Sequence, residues 1–132
     1  MRRGAVAVIF EEGRLLAIRR SAKVSAPGAI CFPGGGIEAD ESECDALVRE
    51  LREELGIEIR PLRRLWENTT RWQVHLAWWL AERIDRAAPL TPEPDEVADV
   101  FWLTAADMAE HADLLSSNRE FLSIVARGEI AL

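Results

Sequence analysis

The clearest hydrophobic pattern in this chain runs from Arg71 to Glu82, where Trp72, Val74, Leu76 and Trp78 alternate with Gln73, His75, Ala77 and Trp79. A period of two belongs to a strand. Gly4 to Phe10 is instead a continuous run of small and β-branched apolar residues, which predicts a buried strand. Glu11-Glu12-Gly13 makes a turn and Arg14 to Arg20 returns, so the two runs predict a hairpin. Ser21 to Ala29 contains Pro27-Gly28 and reads as a loop, and Ile30 to Phe32 as a short strand. Ile57 to Thr70 is strand-like but interrupted by Pro61 and by charges. Ala87 to Asp99 is rich in proline and acid, which predicts a loop before a short strand, Val100 to Leu103. Thr104 can cap a helix from Ala105 to Ala112, and Ser116 or Ser117 can cap a last helix, Asn118 to Arg127, closed by Gly128. Strands mixed with helices predict an α/β layered domain.

The helical period is strongest between Glu41 and Leu55, a stretch with neither Gly nor Pro. Cys44, Leu47, Val48, Leu51 and Leu55 form one apolar stripe, with Cys44 as a small core residue. Glu50, Glu53 and Glu54 adjoin it. Residues three and four apart share a helix face, so Glu53 and Glu54 both neighbour Glu50. Three carboxylates so placed repel one another unless positive charge sits among them. Arg49, four residues before Glu53, is one candidate. A hard divalent cation is the stronger one, because Mg²⁺ and Mn²⁺ prefer oxygen ligands and Mg²⁺ combines carboxylates with phosphate oxygens and water. A Glu-rich helix face is by default only solvated. The run Phe32-Pro33-Gly34-Gly35-Gly36 ahead of it shifts that balance. Glycines let the backbone approach a ligand, and a helix start offers unpaired N–H groups.

Gly35, Glu41, Arg49, Glu50, Leu51, Glu53, Glu54, Gly56 and Ile57 together spell G-x5-E-x7-R-E-L-x-E-E-x-G-I. This stretch resembles the Nudix box and fills each of its defined positions. Cys31 to Glu38 resembles the usual lead-in to that box. The resemblance implies one Nudix domain over residues 1–132. It implies an α/β/α sandwich with a mixed sheet, in which a glycine loop–helix–loop carries the catalytic residues. It further implies hydrolysis of a nucleoside diphosphate linked to another group, with Mg²⁺ or Mn²⁺ as cofactor. On that analogy Glu50, Glu53 and Glu54 are metal ligands or hold the activated water, and the Gly34 carbonyl is a further ligand. Arg49 would orient the glutamates, and Glu41 would be an outer carboxylate.

Outside the box each candidate has two readings. Glu93, Asp95 and Glu96 form either a solvated acidic loop or the source of a catalytic carboxylate that closes over the metals. The resemblance favours Glu96, from its spacing to Trp102. Arg19 and Arg20 are surface arginines at a strand end, or one of them grips phosphate with its forked donors. The pattern of MutT-like members favours Arg20. Trp72 and Trp79 either fill the core or offer a ring on which a base stacks. Asn118 is a helix cap or, as in MutT-type members, a reader of the base edge. His75 and His111 read as structural.

Composition bounds the rest. A chain of 132 residues fits one domain. A net charge of −7 argues against a nucleic-acid polymer as partner. It does not argue against a small nucleotide, whose phosphates a metal neutralises. The apolar runs are too short to span a membrane, and Met1-Arg2-Arg3 does not open a signal peptide. Two cysteines form neither a disulfide framework nor a zinc pattern, so a cytoplasmic protein is expected. The chain has no tyrosine, which the diadenosine polyphosphate hydrolases usually carry. It also lacks the proline that often follows the box in ADP-ribose hydrolases. Elimination leaves a MutT-like conversion of a nucleoside triphosphate to monophosphate and pyrophosphate. The alternatives are an ADP-ribose or sugar-nucleotide pyrophosphatase and a non-catalytic nucleotide-binding module. The Trp-rich strands can face a core or the second copy of a homodimer.

Overall fold

The computed structural model describes residues 1–132. Its strands are β1 (Arg2–Glu11), β2 (Arg14–Arg20), β3 (Ile30–Cys31), β4 (Gly34–Gly36), β5 (Ile59–Thr69), β6 (Val74–Arg83) and β7 (Val97–Leu103). Its helices are α1 (Glu43–Leu55), α2 (Ala105–Glu110) and α3 (Ser116–Ala126). β1 is central. It pairs in parallel with β6, from Arg2 opposite Val74 to Ile9 opposite Ala81, and antiparallel with β2 and β4. β5 continues the sheet beyond β6, while β3 and β7 both pair with β2. One parallel pairing among antiparallel ones makes the sheet mixed. A parallel neighbour needs a long crossover, and the segment carrying α1 lies within it.

The middle of β1, Gly4 to Ile9, is apolar because both of its faces are covered there. Ala5, Ala7 and Ile9 pack with Leu47, Leu51 and Leu55 of α1. Val8 faces the other way, into a cluster with Trp78, Phe32, Met108 of α2, and Phe121 and Leu122 of α3. Trp78 stacks on Phe121 at 4.8 Å between ring centroids, and Phe32 meets Trp78 edge-on. The result is the α/β/α sandwich with a mixed sheet. Ser42 caps α1 by accepting from the Asp45 N–H at 3.0 Å, and Gly56 ends it with φ of +67°. No helix is long and apolar enough to cross a membrane.

Several elements depart from the expectations above. β6 begins at Val74, because Arg71, Trp72 and Gln73 form the turn of the β5–β6 hairpin. Gln73 has a φ of +61°, and the Thr70 N–H donates to the Val74 carbonyl at 2.9 Å, which closes the turn. The glycine run is not a free loop, since Gly34–Gly36 pairs with β1 as β4. β7 starts at Val97, inside the acidic stretch, because its ladder with β2 satisfies that backbone. α3 begins at Ser116 with Leu115 as its cap residue and no side-chain cap bond, so Ser116, Ser117 and Asn118 all lie within the helix. The buried positions of α1 are Ala46, Leu47, Leu51, Glu54 and Leu55, while Cys44 stays half-buried at the stripe's edge.

Candidate active site

Arg49 is the hub on the outer side of α1. Its Nε and Nη2 donate to the two oxygens of Glu41 at 2.7 and 2.9 Å, and Nη2 also donates to the Gly36 carbonyl at 2.8 Å. Nη1 reaches Glu50 at 3.0 Å and Glu53 at 3.1 Å. The guanidinium is thus spread across three carboxylates, and its hydrogen bonds to Glu41 foremost hold its own pKa above the usual arginine value. The same bonds draw the Glu41 carboxyl down to about 2. Glu53 points outward and is exposed, although it adjoins Glu54 in sequence.

Glu54 turns inward. It is 7 % exposed, and its Oε1 accepts from the Gly34 N–H at 3.1 Å. Burial raises its pKa to about 8; the Gly34 N–H opposes that shift, while Glu50 and Glu96 add to it. Glu50 is raised as well, first by burial, with Arg49 pulling the other way and Glu53 and Glu96 adding to the rise. The third member is Glu96, whose Oε2 is buried without any hydrogen-bond partner. A polar atom in that state carries a cost of about 1–3 kcal/mol that something must offset. No three of these acids converge closely enough to form a ready-made metal cage. The donor set nonetheless fits a hard divalent cation: carboxylate oxygens only, two of them held above their normal pKa by burial and mutual repulsion, and one oxygen left unpartnered.

Beside this cluster lies a cavity of about 440 Å³. Gly34 and Gly35 form the wall between the two. Gly34 donates to Glu54, while a Cβ built on Gly35 would come within 2.3 Å of the Glu50 carboxylate. Much of the remaining lining is apolar, but its charged residues are Arg20 and the exposed Arg2 and Arg3, so the mouth is cationic in a chain of net charge −7, with Arg3 also 3.8 Å from Glu43; Asn118 lines the cavity too.

The NUDIX domain family profile matches residues 1–123. The chain belongs to the Nudix family. It is 36% identical over 105 residues to a MutT-like protein of Streptomyces ambofaciens, covering 78% of this chain and 63% of that one. It is 52% identical over 52 residues to a CTP pyrophosphohydrolase of Escherichia coli (strain K12), covering 39% of this chain and 38% of that protein. The aligned part therefore spans less than two thirds of these relatives' lengths. The solution structure of the E. coli ORF135 protein superposes with a TM-score of 0.78 at 25% identity, covering 98% of this chain and 91% of that one.

The Nudix fold sorts the residues singled out in the sequence. Glu50, Glu54, Glu96, Arg49 and Gly34 come together, with Glu53 at the outer edge. Arg20 lines the cavity, held by Ser25 through its carbonyl at 2.7 Å and its hydroxyl at 2.9 Å. Arg19 turns away to Asp113 and the Gly28 carbonyl and is not part of the cavity lining. Asn118 also lines the cavity. Its Oδ1 accepts from the Phe32 N–H at 2.9 Å and its Nδ2 donates to the Ser117 hydroxyl at 3.2 Å, which leaves one amide N–H able to donate into the pocket. Trp72 is 60 % exposed at the hairpin tip under the Arg71 guanidinium, outside the cavity lining. Trp79 lies on the α1 side of the sheet and donates to Glu43 at 2.9 Å, which takes it out of the cavity. Cys31 lines the cavity but is buried, and burial pushes its thiol up to about 11, far from a reactive thiolate. Arg2 and Arg3 are the residues that sequence reading missed. Only the pairing of β1 with β6 and β4 brings them to the mouth, although two adjacent arginines before a strand in an acidic chain were a legible signal.

Gly35→Ala is expected to lower turnover by up to about a hundredfold while the fold persists, because the new methyl displaces Glu50 by the order of an ångström. Steady-state kinetics beside a thermal melt checks this, and an unchanged kcat would show that Glu50 is not held against Gly35 for catalysis.

Proposed function

We propose that this chain hydrolyses the pyrophosphate linkage of a nucleoside triphosphate, giving the monophosphate and pyrophosphate, with Mg²⁺ or Mn²⁺ as cofactor. One observation carries the reading: the Gly34–Gly35 wall has a nucleotide-sized cavity on one side and buried carboxylates on the other. A diphosphate lying across that wall would have its base in the cavity and its scissile bridge at the acids. Glu50, Glu54, Glu96 and the Gly34 carbonyl would hold the cations. Bound there, such cations neutralise the phosphate oxygens and lower the pKa of water.

The chain's own residues supply the remainder. Arg20, with Arg2 and Arg3, binds the phosphate tail through forked donors. Asn118 donates its amide N–H to an acceptor on the base edge. Arg49 holds Glu50 and Glu53 in place, so that no carboxylate has to reorient during the reaction. Water attacks a phosphorus beside the α–β bridging oxygen, and its proton passes to a carboxylate of the cluster, Glu53 being the exposed one and Glu96 the one with an oxygen free of hydrogen bonds. The bridging P–O bond breaks and its electron pair stays on the departing oxygen, which leaves with pyrophosphate when the α phosphorus is attacked and with the monophosphate when the β phosphorus is.

Three arginines at the mouth favour a triphosphate over an ADP-ribose or sugar nucleotide, which carries less negative charge. The relation to a CTP pyrophosphohydrolase and to a MutT-like protein supports the same choice. The test is a hydrolysis panel of ribo- and deoxynucleoside triphosphates, ADP-ribose and UDP-sugars with Mg²⁺, products resolved by ion-exchange chromatography. The expected outcome is monophosphate plus pyrophosphate from triphosphates at the highest kcat/KM. Preferred cleavage of ADP-ribose would replace the substrate class. Tight binding of an intact nucleotide with no turnover would mean a binding module.

A further inference from the structure

β7 enters the sheet out of step with β2. Arg19 pairs with Asp99 but Arg20 pairs with Val97, so Ala98 bulges between them. A bulge beside a site re-aims the side chains next to it, and the residue that precedes this ladder is Glu96. The loop carrying Glu96 is pinned at two ends. At its start the Thr91 and Glu93 N–H groups donate to the Leu55 and Glu54 carbonyls of α1, at 2.7 and 2.9 Å. At its end the Ser21 N–H donates to the Glu96 carbonyl at 3.0 Å, and the Ser21 hydroxyl donates to the Asp95 carbonyl at 2.7 Å.

Ser21 is 5 % exposed and is one of three buried polar residues, the others being Glu54 and Asn118 of the site itself. Its hydroxyl oxygen also accepts from the Lys23 N–H at 3.2 Å. An ion pair between Lys23 and Asp95, 2.6 Å apart, spans the same gap on the outside, with both side chains mostly exposed. Exposed pairs contribute little, so the buried hydroxyl is the stronger fastening. It matters because the Glu96 carboxylate has a buried oxygen with no partner of its own. No side-chain bond to that oxygen aims Glu96, so the backbone that carries it must be held.

We propose that Ser21 is a positioning residue: its hydroxyl and amide fix the Asp95–Glu96 backbone so that the Glu96 carboxylate faces Glu50 and Glu54. The proposal rests on the reading of Glu96 as part of the cation-holding set. It also explains why Arg20 and Glu96 share a site. Ser21 follows Arg20 directly, so the segment that presents the phosphate-binding guanidinium also fixes the opposing carboxylate. A merely structural serine would affect stability and leave cation affinity alone.

The test compares Ser21→Ala, Ser21→Thr, Glu96→Gln and the double variant. Mn²⁺ affinity is measured without substrate by electron paramagnetic resonance, and kcat and KM with the preferred nucleotide. Thermal melts verify folding, and Ser21→Cys gives the same contrast if the alanine variant folds poorly. Ser21→Ala is expected to weaken Mn²⁺ binding and lower kcat by about tenfold each, the usual scale for a group supporting a ligand, with KM little changed. Ser21→Thr should recover most of both, and Ser21→Ala should add nothing to Glu96→Gln. Wild-type Mn²⁺ affinity and kcat in Ser21→Ala, or an equal further loss in the Glu96→Gln background, would overturn the proposal. If Glu96→Gln itself behaves as wild type, the assignment of Glu96 falls and this proposal with it. If Glu96→Gln is impaired and Ser21→Ala is not, only the role of Ser21 falls.

Discussion

Glu54→Gln is expected to lower turnover by about two to three orders of magnitude, the loss typical when one preorganised group is removed from a charge-stabilising site. The substitution keeps the shape of the side chain and the oxygen that accepts from the Gly34 N–H. What it removes is the negative charge. In the cation-free protein that charge is unfavourable, since burial holds the acid at about 8 against 4.5 in the unfolded chain. The sign follows from proton binding. Between pH 4.5 and about 8 the folded state holds a proton that the unfolded state has lost, so stability falls as pH rises through that window. Glu54→Gln should remove this slope and equal or exceed the wild type in stability at pH 8 in the presence of EDTA. Adding Mg²⁺ or Mn²⁺ should raise the melting temperature of the wild type, release protons below pH 8, and do little to the variant. Denaturant melts from pH 4.5 to 9, with and without the cation, together with kcat, check the set. Near-normal Mg²⁺-dependent kcat in Glu54→Gln would remove Glu54 from the catalytic set.

The second large effect is expected from Arg49→Ala, with kcat lower by about ten- to a hundredfold and a lower melting temperature at pH 7. Arg49 makes five hydrogen bonds to Glu41, Glu50, Glu53 and the Gly36 carbonyl. Without it those carboxylates repel one another, and Glu50 loses the bond that fixes its direction. Arg49→Lys should recover little, because an ammonium cannot reproduce a planar fork spread over three acids. The stability deficit has a defined pH dependence. Glu41 is held at about 2 by Arg49, so its contribution is complete above 4.5 and disappears as pH falls toward 2. Wild type and Arg49→Ala should therefore converge in stability in acid. A deficit that persists unchanged at pH 2 would place the role of Arg49 in packing. Kinetics at pH 7 and urea melts between pH 2 and 7 separate the two.

Much of the candidate site lay open to reading because it is local. Glu50, Glu53 and Glu54 sit within one helix and the glycines directly before it, and helical geometry converts spacing into shared faces. The same logic misled at the hairpin. Trp72 alternates with Val74 as a strand residue would, yet it falls in a turn set by the positive φ of Gln73. Trp78 and Trp79 were expected on opposite faces and are, but nothing in the alternation says that the cavity side holds Trp78 packed on Phe121 while Trp79 meets Glu43. Asn118 was weighed as a cap, and the structure makes it a helix residue whose side chain holds the backbone of Phe32, 86 positions away.

By itself the sequence determined the order of the elements, the α/β layering and the clustering of acids beside a glycine run, because each follows from periodicity or from residues a few positions apart. It could not determine which of two adjacent glutamates is buried, since one residue turns a helix by roughly 100° and the packing of α1 on β1 decides which side is covered. Tertiary structure alone decided that Glu54 goes inward and Glu53 outward, that Arg20 rather than Arg19 faces the cavity, that Arg2 and Arg3 reach its mouth, and that Ser21 holds Glu96. Apart from the first, these depend on pairing between strands distant in sequence, where register, and not local preference, sets which side chains meet.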